Sequence, residues 1–207
     1  MLWVIAVVLF FVIIVILFLL NFYRDPERQV PKGNNIVSPA DGRVISIIDT
    51  SKGSVKVSKG YFGKIRTLTK DIAKETYVIS IFMSPLDAHK NRSPIEGKIV
   101  SMNHTKGRFF KAYDLEKSLE NEKNEIIIQN KAMKIKVIQI AGFLARRIIL
   151  YVKVNEKVNK GQKIGMITLG SQATLIIPKK LVELRVRLND KVRAGESIIA
   201  EIGVQDE

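Results

Sequence analysis

Three residues could together perform covalent chemistry: the serine of Gly170-Ser171, the histidine His89, and Asp41, which precedes Gly42. The Gly170-Ser171 bond can be read as one the chain cuts in itself. The Ser171 hydroxyl lies beside the Gly170 carbonyl, and a glycine leaves the approach unobstructed and its own backbone free to strain. A serine hydroxyl attacks poorly until a base takes its proton, and that base needs orienting. The chain has two histidines. His89 is the first candidate base, and His104, in Asn103-His104-Thr105-Lys106-Gly107, is the second. Asp41 is the candidate orienting carboxylate, by analogy with a Ser-His-Asp arrangement. Each residue also has a plainer reading. Gly, Ser and Asp-Gly are ordinary turn formers, and a lone histidine is usually structural. With no cysteine in the chain, disulfides and thiolate metal sites are excluded.

These residues need elements to position them. Met1 to Leu20 carries no charged side chain and is almost wholly Leu, Ile, Val and Phe. A helix of about 20 residues crosses the hydrocarbon core of a bilayer. A cleaved signal peptide fits poorly, because no basic stretch precedes the run and no small-residue cleavage site follows it. Residues 1–21 are therefore expected to be a retained transmembrane anchor. Arg24, Arg28 and Lys32 follow the run, so the positive-inside rule places the body in the cytoplasm, held to the cell membrane by a single span. The formal net charge of +14 suits an anionic surface, either lipid head groups or nucleic acid. A chain already tethered to a bilayer makes lipid the simpler partner, and no nucleic acid is expected.

Residues 22–35 read as a polar linker with turn residues, Arg24-Asp25-Pro26-Glu27-Arg28 and Pro31-Lys32-Gly33. From Ile36 the pattern changes to short β-branched runs separated by turn signals. Strands are expected at Gly42–Ile48, Tyr77–Met83, Lys98–Met102, Glu125–Gln129, Lys134–Ile140, Arg147–Val152, Lys163–Thr168, Ala173–Ile177 and Ser197–Ile202. The one helix signal in the body is weak and falls at Asp114–Asn124. Two self-similarities point to a duplication. Pro39-Ala-Asp-Gly-Arg-Val-Ile-Ser-Ile47 resembles Pro94-Ile-Glu-Gly-Lys-Ile-Val-Ser-Met102, and Asn155-Glu-Lys-Val-Asn-Lys-Gly161 resembles Asn189-Asp-Lys-Val-Arg-Ala-Gly195. The second pair resembles the Val-x-x-Gly turns of biotinyl and lipoyl domains. The expected fold is mainly β: a duplicated barrel-sandwich body of biotinyl/lipoyl type with one N-terminal transmembrane helix. Each early Pro-to-Gly strand would pair with a late Val-x-x-Gly hairpin.

Taken in order, the motifs resemble those of the phosphatidylserine decarboxylase family, in particular its short prokaryotic subgroup acting on phosphatidylserine or archaetidylserine. Phe22-Tyr23-Arg24-Asp25-Pro26 is similar to the family's Phe-Phe-Arg-Asp-Pro. Ser38-Pro39-Ala40-Asp41-Gly42 matches its Ser-Pro-Ala-Asp-Gly. The stretch Ile81 to Gly97 resembles its Ser-Pro-x-Asp-x-His-x-Asn-Arg-x-Pro segment. Gly107-Arg108-Phe109 with Asn121-Glu122, then Gln139-Ile140-Ala141-Gly142 through Ala145-Arg146-Arg147-Ile148, and finally the block from Gly161 to Ser171 complete the set. One position departs: many short members carry Arg or Thr after the serine, where this chain has Gln172. That alters a neighbour and not the reacting atoms.

The resemblance implies a pyruvoyl-dependent carboxy-lyase that converts a serine phospholipid to its ethanolamine counterpart and releases carbon dioxide. Decarboxylation leaves a carbanion that water cannot stabilise, and a carbonyl joined to the substrate amine as a Schiff base delocalises it, as pyridoxal phosphate does elsewhere. The pyruvoyl group would form from Ser171 by self-cleavage after Gly170, with neither metal nor pyridoxal phosphate. The decarboxylase domain, 36–207, would then belong to a β chain, 1–170, and an α chain, 171–207, which stay associated. The resemblance implies His89 and Asp41 at the matching catalytic positions, with His89 also assisting decarboxylation. Arg146 and Arg147 are candidates to grip the lipid phosphate, although a solvated strand end fits them equally well. Ester against ether lipid and the oligomeric state, a homo-oligomer included, stay open. The competing reading is a membrane-anchored, non-enzymatic adaptor with a biotinyl-like barrel. It calls for long helical hairpins and leaves Ser171, His89 and Asp41 without roles.

Overall fold

The structure is a computed structural model and describes residues 1–52, 59–108, 110–111, 115–142, 147–168 and 171–203. Its first element, α1 (Leu2–Phe22), is apolar on every side and long and apolar enough to cross a membrane, with a mean hydropathy of 3.5. A helix that is hydrophobic all round has no polar face to offer water. Phe22 is its one buried residue.

The body is β throughout its core, as the short β-branched runs separated by turn signals led one to expect. In chain order the strands are β1 (Asn35–Val37), β2 (Gly42–Asp49), β3 (Thr76–Met83), β4 (Lys90–Arg92), β5 (Gly97–Thr105), β6 (Lys123–Gln129), β7 (Lys134–Ile140), β8 (Ile148–Leu150), β9 (Lys157–Val158), β10 (Lys163–Ile167), β11 (Ser171–Pro178), β12 (Val182–Leu184), β13 (Lys191–Val192) and β14 (Ile198–Ile202). Eight of them form one curled sheet in the order β13-β2-β3-β11-β7-β6-β5-β9, flanked by two three-stranded sheets, β1-β14-β12 and β4-β10-β8. Every strand expected from the sequence is present, with ends shifted by a few residues.

The order of the large sheet is a palindrome under exchange of β2 with β5, β3 with β6, β11 with β7 and β13 with β9, and the two small sheets exchange in the same way. The duplication suspected from the repeats is thus a two-fold arrangement centred between β11 and β7. The expected pairing of early strands with late hairpins occurs twice: β13 lies on β2 with Val192 opposite Gly42, and β9 lies on β5 with Val158 opposite Gly97. The two hairpins even share their backbone irregularities. Asn155 and Asn189 have φ of 72° and 73°, and Gly161 and Gly195 have 80° and 76°.

Alternation along β3, β7 and β11 buries both faces of the central sheet. Ile79, Ile81, Val137, Ala173 and Leu175 enter the main core, while Val78, Ile138, Ile140 and Ile176 form a second cluster on the opposite face. Burial on both sides explains why these strands read as nearly continuous apolar runs. Ile65 of α2 (Lys59–Thr69) covers the second cluster. This helix was not expected from the sequence. Gly60 and Gly63 lower its intrinsic propensity, and its support is tertiary: Ile65 packs on the sheet and the Leu68 carbonyl accepts a bond from Lys136 Nζ at 2.8 Å. The expected helix at Asp114–Asn124 shrinks to one turn, α3 (Leu115–Ser118), because Lys123 and Asn124 are captured by the β6–β7 ladder. Asp114 falls outside the described residues.

The turn into β2 depends on Gly42. A Cβ there would sit 2.1 Å from the Phe82 carbonyl oxygen, and its φ of +146° disfavours a side chain. Nothing lies within 4 Å of a Cβ at Gly63. We expect Gly42→Ala to lower stability by about 1–3 kcal/mol, and Gly63→Ala to raise it by about 0.5–1 kcal/mol. Thermal or denaturant melts of the two variants measure the difference.

Candidate active site

Ser171 opens β11 and pairs in register with Met83, the last residue of β3. Both are fully buried. The Ser171 Oγ meets the Met83 Sδ at 3.6 Å, its one hydrogen-bonding contact among the described residues. A thioether is a weak acceptor, so this hydroxyl is sequestered from water without being satisfied. Gly170, the other half of the expected cleavage bond, lies outside the described residues, and so does Arg146.

His89 follows the turn Ser84–Asp87, which the Asp87 carboxylate closes by accepting the Ser84 N–H at 2.8 Å. The same residue holds the histidine through its backbone: His89 Nδ1 lies 2.8 Å from the Asp87 carbonyl oxygen. A carbonyl can only accept, so in the neutral ring Nδ1 carries the proton and Nε2 keeps its lone pair. Nε2 is buried and has no partner among the described residues. The Phe22 ring lies against the imidazole, with centroids 4.1 Å apart and planes 34° from parallel. Burial is the largest influence on His89 and pushes its pKa below the ordinary 6.5. The Asp87 carbonyl and carboxylate and the more distant Asp41 pull upward, and Arg24 adds to the downward push. At neutral pH the ring is an uncharged base.

Asp41 stands immediately before β2. Its Oδ1 accepts the Ala194 N–H at 2.7 Å and its Oδ2 pairs with Arg28 Nη2 at 2.8 Å. Arg28 also reaches Glu196 at 3.5 Å. The structure therefore does not join the Asp41 carboxylate to His89 by a hydrogen bond, because each partner of the expected dyad is engaged elsewhere. Ladder register sets the spacing instead. Arg43 lies opposite Phe82, and Phe82 opposite Gln172. The start of β2 is thus two strands from Ser171, roughly 10 Å at the usual interstrand spacing.

His104 is ruled out as the base for Ser171. Its position in β5 registers with Asn124, then Gln139, then Ala173, which puts it three strands away, roughly 14 Å. It is half exposed and faces Glu122 at 3.6 Å. Arg147 has an exposed side chain, and its backbone N–H donates to Thr168 Oγ1 at 3.1 Å, three residues before Ser171.

Sequence reasoning missed a buried amide chain that ends on the same sulfur as Ser171. Asn91 Nδ2 reaches Met83 Sδ at 3.7 Å, Gln139 Nε2 donates to Asn91 Oδ1 at 2.8 Å, and Asn124 Nδ2 donates to Gln139 Oε1 at 3.3 Å. It also missed Phe22, Arg28 and the Asp87 carbonyl. A backbone acceptor has no residue-type signature, and Phe22 and Arg28 are far in sequence from what they touch. The three buried side-chain polar atoms left unpartnered among the described residues are Arg28 Nε, His89 Nε2 and Asn124 Oδ1. All three belong to this assembly, and unpaired buried groups are costly wherever they serve no purpose. A groove of about 570 Å³ opens beside Asp41 and Asp87, with Arg24, Lys191 and Arg193 on its walls. No group of three or more side chains suited to a metal ion occurs among the described residues.

The profile of the phosphatidylserine decarboxylase family matches residues 15–200, which span every one of these groups. The chain belongs to that family. As a family member it is a decarboxylase of the carboxy-lyase class. Two archaeal relatives are named as candidate archaetidylserine decarboxylase proenzymes. One, from Methanocaldococcus jannaschii, is 45% identical over 89% of this chain and 90% of its own length. The other, from Methanothermobacter thermautotrophicus, is 42% identical over 90% of this chain and 81% of its own. A bacterial relative from Chlorobium phaeovibrioides, named a phosphatidylserine decarboxylase proenzyme, is 40% identical over 91% of this chain and 78% of its own. Family membership removes the adaptor reading.

Proposed function

We propose that the chain is a proenzyme that cuts itself between Gly170 and Ser171 and then decarboxylates a serine phospholipid, phosphatidylserine or its archaeal ether counterpart. The observation that carries this reading is the Ser171 hydroxyl, wholly buried with a thioether as its one hydrogen-bonding contact among the described residues, in a body whose unpartnered buried polar atoms include the Nε2 of a neutral imidazole. A structural serine at such a depth pairs with a backbone or side-chain oxygen.

In maturation, Ser171 Oγ attacks the Gly170 carbonyl carbon while His89 Nε2 accepts the hydroxyl proton. The Gly170–Ser171 C–N bond breaks and an ester joins Gly170 to Ser171 Oγ. Loss of the Ser171 α-proton expels the Gly170 carboxylate and leaves a dehydroalanyl unit, which water converts to a keto group with release of ammonia. Asp41, fixed by Arg28 and Ala194, supplies the negative charge that favours the transient imidazolium. The surroundings of Ser171 suit the resulting group: its ladder partner Met83 and Ala173, two residues along β11, both belong to the buried apolar core. When formed, that group supplies the electron sink for the carbanion left by loss of carbon dioxide. His89, protonated in its turn, returns a proton to the substrate carbon. The two fragments stay together, since β11 from the small one is laddered between β3 and β7 from the large one.

The head group would enter by the groove at Arg24, Lys191 and Arg193, with Arg147 as a further phosphate contact. The helix α1 would hold this mouth at the bilayer surface, with the body on the cytoplasmic side, as Arg24, Arg28 and Lys32 direct.

Intact-mass measurement on the purified protein, followed by assay with ester and ether serine lipids, tests the reading. Two fragments of 170 and 37 residues with a keto-blocked terminus on the smaller, together with ethanolamine lipid as product, are expected. A single full-length chain in preparations that make ethanolamine lipid would overturn it.

A further inference from the structure

The segment leaving α1 lies against the catalytic groups instead of bridging two separate parts. Phe22 is buried to 2% exposure, while the side chains of residues 2–17 stand exposed. One face of Phe22 meets the His89 imidazole and Phe18 stacks on it at 6.0 Å. Arg24 Nη2 donates to the Leu86 carbonyl at 2.8 Å, tying the helix end to the turn whose Asp87 carbonyl orients His89. Asp25 is held by Arg92 at 2.9 Å and by Lys163 at 2.7 Å, which fixes the segment to β4 and β10. Arg28 then reaches Asp41.

We propose that Phe22 is a positioning residue: the last turn of the apolar helix seats the His89 ring and shields its Nε2 from water, so that the site is complete only with α1 docked on the body. This inference rests on the role of His89 given above. A ring held at Nδ1 by one hydrogen bond still tilts about that bond, and a flat neighbour on its face removes the freedom. Shielding also disfavours the imidazolium, against the pull of Asp87 and Asp41 and alongside the push of Arg24. An anchor alone would be indifferent to the identity of residue 22, since any large apolar side chain there extends the span.

The test uses the full chain in lipid nanodiscs with Phe22→Ala, Phe22→Leu, and a chain whose residues 2–17 are replaced by an unrelated Leu/Ala sequence. The rate of cleavage is followed by mass across pH. The His89 titration is followed by NMR in the Ser171→Ala background, where no reaction intervenes. The replaced span should mature like the natural one. Phe22→Ala should mature about 10- to 100-fold more slowly, with the acid limb of its pH profile and the His89 titration both moved upward, and Phe22→Leu should fall between. Wild-type rates and an unmoved titration in Phe22→Ala would overturn the inference. If alanine unfolds the body, the His89 titration in Phe22→Leu decides: an upward shift supports the proposal and an unchanged value refutes it. A wild-type chain that never cleaves would remove the functional reading, while the titration would still judge Phe22.

Discussion

Replacing Ser171 by alanine should leave a single chain of 207 residues that forms no ethanolamine lipid. The substitution removes one oxygen from a position already enclosed by Met83 and Ala173, so the core loses little. The lost atom had only a sulfur contact at 3.6 Å, so no strong hydrogen bond disappears with it and the melting temperature should stay close to that of the uncleaved wild type. The chemical loss is complete by contrast, because alanine has neither a nucleophile for the Gly170 carbonyl nor a leaving group for the elimination. Activity should fall by at least about 10⁴-fold, the scale set by removal of a covalent nucleophile. Ser171→Cys, which keeps a nucleophile and a leaving group at that position, should still split. Denaturing electrophoresis and intact mass measure both variants, and a Ser171→Ala chain that breaks at the same bond would exclude Ser171 as the attacking residue.

The second large effect is expected for His89→Gln. Glutamine has similar bulk and can still donate to the Asp87 carbonyl, but it has no basic nitrogen to place where Nε2 stands. Cleavage should slow by about 10²- to 10⁴-fold, the usual contribution of a general base. The wild-type rate of maturation should fall as the pH drops below about 6.5, through the lowered His89 pKa, because protonation consumes the Nε2 lone pair. Stability should follow the same direction. Burial makes the folded state bind the proton less readily than the unfolded chain. The His89 contribution is therefore fully present above the unfolded value of 6.5 and is lost as the pH falls toward the folded one. In His89→Gln this part of the acid sensitivity should vanish from melts recorded at pH 5 to 7. Normal processing and an unchanged acid slope in that variant would take His89 out of the mechanism.

The Arg28–Asp41 pair bears on how the triad analogy should be used. Analogy with a Ser-His-Asp arrangement suggested Asp41 as the carboxylate that orients His89. In the folded chain the Asp87 carbonyl accepts from Nδ1, while the Asp41 carboxylate is bonded to Arg28 and Ala194 and not to the imidazole. A carboxylate with one oxygen on a guanidinium and the other on the Ala194 N–H is rigidly placed. That preorganisation suits a group whose task is to favour a transient positive charge nearby.

Much of this protein was readable from residue order. The short β-branched runs along Tyr77–Met83, Lys134–Ile140 and Ala173–Ile177, bounded by turn signals, pointed to the central strands, since runs of that length and composition suit strands buried on both faces. The paired repeats determined the duplication and which strand each hairpin meets. The uncharged run before Asn21 determined α1, and the ordered motifs around Asp41, His89 and Ser171 pointed to the family. Tertiary structure alone decided the rest. It turned a polar segment that looked like a linker into a wall of the site, with Phe22 on His89 and Arg28 on Asp41. It separated His104 from Ser171 by three strands, and it formed α2 from a glycine-containing stretch with little helical preference of its own. The physical reason is common to all three. Local pattern reports how a residue is disposed toward its neighbours in the chain, whereas these contacts join residues far apart in it, Phe22 and His89 by 67 positions and Leu68 and Lys136 by 68, and only the curling of the sheet with burial of the helix end brings them within reach.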